Sequence, residues 1–309
     1  MSGHGWELTT PVVFIIFNRP QTTKLVLDEI LKAKPPKIYV IADGPRDNAP
    51  ADKTRCDETR ALIENSEIDS PIKKIYSDTN MGCPERVISG LNWVFTQEDQ
   101  AIILEDDCVP DASFFRYCDE LLLKYDDDNR VMTISGDNFQ FGKKRTKYSY
   151  YFSIYPHIWG WATWKRAWKQ YDKNILMWPE VKENRFLNGF LHDRLSVMYW
   201  NRIFDRVYDG TLKTWDYQWV FSSWMNNAFS IIPHVNLISN VGFGQEATLT
   251  KKKDKFSNIP SSALEFPLHH PPYVMRNWKA DRFTQKDHFS NIPRMCFNKI
   301  SSLPDFRVV

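Results

Sequence analysis

An α/β fold, with a mainly parallel central sheet flanked by helices, is what this 309-residue sequence predicts. Two observations predict it. Short apolar runs alternate with amphipathic helical stretches through the first third of the chain, and every run ends on polar or charged residues. Val12 to Phe17 is uniformly apolar, as a strand buried on both faces must be. Thr22 and Thr23 offer caps for a helix carrying Leu25, Val26, Ile30 and Leu31, which Pro35-Pro36 ends. Ile38 to Ala42 gives the second strand, closed by the turn Asp43-Gly44-Pro45. A polar helix over about 52–65 leads to a third strand, Ile72 to Tyr76. Val87, Ile88, Leu91, Val94 and Phe95 share one helical stripe, Ala101 to Leu104 is the fourth strand, and Phe114, Phe115, Cys118, Leu121 and Leu122 mark the next helix.

Strands joined in this way run parallel through right-handed crossovers, and ligands bind beyond their carboxyl ends. Those ends carry Asn18-Arg19, Asp43-Gly44, Asp78 to Gly82 and Glu105-Asp106-Asp107. Polar groups from four strands therefore converge on one rim.

Composition narrows the function. A net charge of +2 gives no electrostatic footprint for a nucleic-acid partner. Hydrophobic content of 42% and charged content of 25% suit a globular chain. The 12 tryptophans suit either sugar-stacking surfaces or an aromatic core. Cys56, Cys83, Cys108, Cys118 and Cys296 are odd in number and form no C-x-x-C pair, which fits reduced thiols in the cytoplasm. The longest apolar run is far too short to span a bilayer, and no basic segment precedes it as a signal peptide requires. We expect a soluble chain.

The triplet after the fourth strand is the most informative motif. Three adjacent carboxylates repel one another unless a cation is present, and a hard ion such as Mn²⁺ or Mg²⁺ relieves that cost while neutralising a diphosphate leaving group. A solvated acidic turn explains the same residues. Asp126-Asp127-Asp128, at a helix end, is such a turn. No P-loop, G-x-G-x-x-G, G-x-S-x-G or H-E-x-x-H occurs, so kinase, dinucleotide, hydrolase and zincin readings lack their anchors. His157 and His234 suit satisfied core positions, and the run Tyr148, Tyr150, Tyr151, Phe152 and Tyr155, which alternates well enough for a strand near an acceptor, is read as core.

Together the stretches VVFIIFNRP, VIADGP, ERVISGLNWVF, LEDDCVPDASFF, WGWATWKRAW and TWDYQW resemble the glycosyltransferase A-type fold, a Rossmann-like, mainly parallel sheet flanked by helices. More closely, they resemble bacterial relatives of the N-acetylglucosaminyltransferase I family. The resemblance runs from about Pro11 to Ser223. It implies a metal-dependent inverting transfer of a sugar from a nucleotide donor, UDP in that family, to a hydroxyl of a glycan or lipid-linked saccharide. It places Arg19, with Asn18 beside it, at the donor diphosphate and Asp43 at the uracil. Glu105 and Asp106 fall at the nucleoside, and Asp107 is the direct protein ligand of the metal. Gly160 and Trp161 match a loop lining the sugar site, Arg86 lies on the helix beside the donor, and Asp216, after Trp215, is the catalytic base. Asp216 is also explained as a first-turn aspartate, and Arg86 as a surface charge.

Past about Asn240 the likeness fades: Val241 to Gly244 matches a short glycine motif, but Leu249 stands where some relatives carry histidine. Lys251 to Lys255 suits a solvated loop, or contact with an anionic lipid-linked acceptor at the inner face of a membrane. We expect a catalytic domain over 10–245, a C-terminal extension packed on it over 246–309, and a tail over 1–9. Two rivals remain. A sugar nucleotidyltransferase would need a glycine-rich loop after the first strand, where this chain has Phe17-Asn18-Arg19-Pro20-Gln21. A non-catalytic glycan binder would have no affinity for nucleotide.

Overall fold

A computed structural model describes residues 6–67, 69–191, 193–243 and 255–289. Gly244, Leu249, Lys251 to Asp254 and Cys296 lie outside the described residues. The first half follows the predicted alternation: β1 (Val12–Ile16), α1 (Pro20–Ala33), β2 (Ile38–Ala42), α2 (Ala51–Glu64), β3 (Ile72–Tyr76), α3 (Cys83–Val94) and β4 (Gln100–Glu105). Helix α1 starts at Pro20, whose fixed φ suits the first helical position, so Thr22 and Thr23 fall inside the first turn and do not cap it. Its inward stripe is Thr23, Val26, Leu27 and Ile30, while Leu25 is exposed. Then come β5 (Cys108–Pro110), α4 (Ser113–Lys124), β6 (Val131–Ser135), β7 (Tyr150–Ser153) and β8 (Trp161–Trp164). Five helices follow, α5 (Lys165–Trp168), α6 (Trp178–Glu183), α7 (Phe186–Phe190), α8 (Arg194–Tyr208) and α9 (Asp216–Met225). The remainder is β9 (Phe229–Pro233), β10 (Ile238–Asn240), α10 (Trp278–Thr284) and a π-helical turn, Gln285–Phe289.

Eight strands form one sheet in the order β3-β2-β1-β4-β8-β6-β9-β7. The half from β3 to β4 is entirely parallel, as predicted. The other half is mixed: β8 runs antiparallel to both β4 and β6, β9 parallel to β6, and β7 antiparallel to β9. This is the α/β fold expected, a Rossmann-like sheet flanked by helices. Because side chains alternate across a strand, the uniform run of β1 feeds two cores. Val12, Phe14 and Ile16 pack with α1 and α4, and Val13 and Ile15 pack with α3 and with Trp161, Trp168, Trp215 and Trp219. A third cluster, built on Trp178, Trp200, Phe204 and Trp224, holds α6 to α9 together. Most tryptophans thus belong to cores. Lys73 and Lys74 on β3 put charge on the sheet's open edge, which discourages further strand pairing.

The aromatic run at 148–155 does contain a strand, β7, but β8, β6 and β9 separate it from β4, so it lies at the far edge and not beside the rim. Helix α10 leans on it: Asn277 N donates to Phe152 O at 2.7 Å, and Ser153 Oγ donates to the buried Asp281 at 2.6 Å. His157 is buried, as expected, and His234 is half-buried with Nδ1 2.9 Å from Ser149 O. Among the described residues no helix is long and apolar enough to cross a membrane.

A small second sheet matters most for the site. β5 and β10 pair antiparallel, Cys108 against Asn240. Val241 N then donates to Asp107 O at 2.8 Å. This pairing carries residues 240–243 from the end of β10 to the acidic triplet at the end of β4.

Candidate active site

The carboxyl ends of β1, β2 and β4, the start of α3, the approach to α9 and the segment after β10 enclose a cleft of about 420 Å³. Its wall brings together Arg19, Asp43, Arg86, Glu105, Asp106, Asp107, Trp215 and Asp216, from five separate stretches of sequence. Ile158 and Trp159 complete one side.

At the centre, β4 ends on Glu105 and turns sharply. Asp106 Oδ2 accepts the Phe17 amide at 2.9 Å, which ties the triplet to the end of β1. Arg19 Nη1 donates to Asp107 Oδ2 and lies 3.5 Å from Asp106 Oδ1. Burial pushes the Glu105 carboxyl above its ordinary range, and the neighbouring charges of Asp107 and Asp106 push it further, against the pull of Arg19. Asp106 is raised too, by burial and then by Asp107, with Arg19 and the Phe17 amide opposing. Of the other cations on the wall, Arg46 pairs with Asp52 and Arg86 donates to the Ile75 carbonyl, while Lys213 lines the cleft beside Thr214. Three carboxylates sharing Arg19 leave an excess of negative charge in a partly desolvated cleft. That excess fits a hard divalent cation. Among the described residues no three His, Cys, Asp or Glu side chains converge as a ready-made cage.

Asp216 opens α9, and the Thr214 hydroxyl donates to its Oδ1. Burial raises its carboxyl, while the Thr214 hydroxyl and the Tyr217 amide pull it part of the way back. The helix-start position and the cleft wall thus coincide in one residue. Arg86 is buried in the core-facing side of α3 and is no surface charge: Nη2 donates to Ile75 O at 2.7 Å, and Nε has no protein partner.

Three residues expected at the site stand behind it. Asn18 is buried, donating to Asp52 Oδ1 at 2.8 Å. Asp52 also accepts Arg46 Nε at 2.5 Å and Nη2 at 3.0 Å, so Asn18 acts on the cleft only through Arg46, whose guanidinium sits 5.5 Å over the Phe17 ring. Gly160 is packed against Ile238, its carbonyl accepting Gly136 N at 2.7 Å. Trp161 points the other way, into the core, and is 1% exposed. Ile158 and Trp159, in the bend just before β8, face the cleft instead. Sequence reasoning missed Arg46, Trp159 and Asn240. For Arg46 a signal existed, in a turn that closes six residues before an acidic first-turn residue, Asp52.

The segment after β10 presses on the triplet. A Cβ built on Gly242 would fall 1.9 Å from Asp107 Oδ2, and Gly242 N donates to Asn240 Oδ1 at 2.9 Å. Only a residue without a side chain lets Asp107 keep its place. Gly242→Ala is expected to push the Asp107 carboxylate aside and weaken Mn²⁺ binding by about tenfold, with the sheet intact, because the affected atom ends a side chain at the rim. Calorimetric titration of Mn²⁺ in the presence of UDP, beside a far-UV spectrum, measures both.

No family model matches the chain, and no characterised protein matches it in sequence. Among solved structures, a mannosyltransferase from Pyrobaculum calidifontis in complex with GDP-Man and Mn²⁺ is 13% identical, with 51% of this chain and 45% of that one covered and a TM-score of 0.35. A cytidylyltransferase from Leptospira borgpetersenii is 12% identical, covering 57% and 72%, with a TM-score of 0.34. A UDP-glucose pyrophosphorylase complexed with UDP-glucose is 10% identical, covering 48% and 62%, with a TM-score of 0.28. The chain thus spans less than two thirds of the first and the last of these proteins.

Proposed function

We propose that the chain is a metal-dependent inverting glycosyltransferase that moves a sugar from a nucleotide donor, UDP-linked, to a hydroxyl of a glycan or lipid-linked saccharide. One observation carries the reading: a single cleft holds an acidic triplet with its arginine on one side and, opposite in the chain, the raised carboxyl of Asp216. Asp107 would hold Mn²⁺ or Mg²⁺, which would neutralise charge developing on the diphosphate. Arg19 lies against Asp107 and Asp106, in reach of the same diphosphate. Asp216 takes the proton of the acceptor hydroxyl as that oxygen attacks the anomeric carbon from the face opposite the leaving group. The half-buried Trp159 offers a ring to the sugar. Against a nucleotidyltransferase stands the entry to α1, where Arg19-Pro20 occupies the place of a glycine-rich loop.

A thermal-shift screen of nucleotide sugars tests the proposal. With Mn²⁺ and a UDP-sugar at about 100 times Kd, the expected stabilisation is about 2.7 kcal/mol, and EDTA should remove it. A shift indifferent to EDTA, or release of pyrophosphate from UTP and a sugar 1-phosphate, overturns the reading.

A further inference from the structure

Asp43 stands on the cleft wall, yet its carboxylate has no lone pair left to offer a ligand. An ionised carboxylate presents about four acceptor directions. Here Oδ1 accepts Gly44 N and Met81 N, each at 2.9 Å. Oδ2 accepts Asn80 Nδ2 at 3.0 Å and Gly82 N at 3.1 Å. All four donors belong to two loops, the turn after β2 and the segment between β3 and α3. Further bonds join the same two loops. Asn80 Nδ2 also donates to Gly44 O at 2.9 Å, and Arg60 Nη2 donates to Asp43 O at 3.1 Å and Ser77 O at 2.6 Å. Gly44 lies so close to the Thr79 backbone that a Cβ would sit 2.5 Å from it. Asp43 is 5% exposed.

We infer that Asp43 is a positioning residue and does not read the nucleobase. It clamps the Asn80–Gly82 segment, and that segment sets where Gly82, Cys83 and Pro84 at the start of α3, and Arg86 one turn on, meet the cleft. A base N–H pointed at Asp43 would have to displace a backbone amide that then has no other acceptor, a cost that cancels the bond gained. The inference rests on the cleft being a nucleotide site only in its second consequence, that base selectivity lies elsewhere. The clamp itself is a property of the free protein.

The two consequences are tested separately. Asp43→Asn keeps the size but replaces one acceptor oxygen with an amino group, which faces the Met81 or Gly82 amide. In ligand-free protein, hydrogen exchange at Met81 and Gly82 is expected to quicken by about tenfold to a hundredfold, with β1 and β4 amides unchanged. Affinities for UDP, CDP and GDP, measured by calorimetry with Mn²⁺, are expected to fall by one common factor. A direct reader behaves differently: the asparagine would lose the uracil N3–H and gain the cytosine N3, so selectivity would swing from UDP towards CDP. Unchanged exchange at Met81 and Gly82, or that swing, overturns the inference. Asn80→Ala removes one of the four donors, leaves Asp43 in place, and should quicken the same amides by a smaller factor, which decides the matter if Asp43→Asn fails to fold. Wild-type protein that binds none of the three nucleotides defeats the proposed function, and the exchange measurement then decides the clamp alone.

Discussion

Asp216→Asn is expected to lower kcat by about 10²–10⁴ while donor and metal affinities stay near those of the native protein. The amide keeps the size of the side chain and an Oδ1 that can still accept the Thr214 hydroxyl, so the start of α9 is preserved. What it cannot do is take a proton. The donor and metal contacts proposed above are assigned to the ends of β1 and β4 and the start of α3, not to α9, so they should be little altered. The native pH profile carries a second signature. Because burial raises the Asp216 carboxyl, the acid limb of kcat/KM should fall at a higher pH than an ordinary carboxylate would give, and this limb should vanish in the variant. NMR of the product should show an inverted anomeric centre. Near-normal turnover would return Asp216 to a helix-start role, and a retained configuration would remove the need for an external base.

Asp107→Ala is expected to abolish the dependence of UDP binding on Mn²⁺ outright. Asp107 is the triplet member against which both Arg19 and the Gly242 backbone are placed, and its Oδ1 also lies 3.4 Å from Cys108 Sγ. Losing it should leave the fold standing. The Arg19–Asp107 ion pair is lost while that with Asp106 stays, and a like charge beside the raised Glu105 and Asp106 goes too, so the two effects oppose. Calorimetry of UDP with Mn²⁺ and with EDTA reads the result: two equal dissociation constants are expected for the variant and two unequal ones for the native chain. Equal constants in the native chain would end the metal assignment.

How far the sequence carried these conclusions depends on which forces write themselves into it. The strands β1, β2 and β4 were legible because burial on both faces demands an unbroken apolar run, and the polar residue after each run then had to stand on the rim. The triplet, Arg19 and Asp216 were found that way or by likeness to a family. The mixed half of the sheet was not legible. Nothing in Trp161 to Trp164 says that this strand inserts antiparallel beside β4, since pairing direction is set by distant contacts. Nor could spacing show that Asp43 is saturated, because its donors include Asn80, Met81 and Gly82, more than thirty residues on. Motifs record which side chains reach a rim; they do not record how many of their lone pairs are already taken.

The stack behind the rim has an optical consequence. Trp215, on the cleft wall, lies nearly flat on Trp161, with ring centroids 5.7 Å apart and planes at 27°. Trp161 in turn neighbours Trp219 at 5.8 Å and Trp168 at 6.3 Å, and those two are 5.5 Å from each other. Indoles this close share their excited states, so the four absorb and emit as a coupled set whose spectrum depends on the outermost ring. Any ligand settling beside Trp215 changes the surroundings of that ring, and the coupled chromophores behind it carry the change into the near-ultraviolet dichroism and the emission of the whole protein. The chain holds its own gauge of whether the cleft is full, with no dye attached.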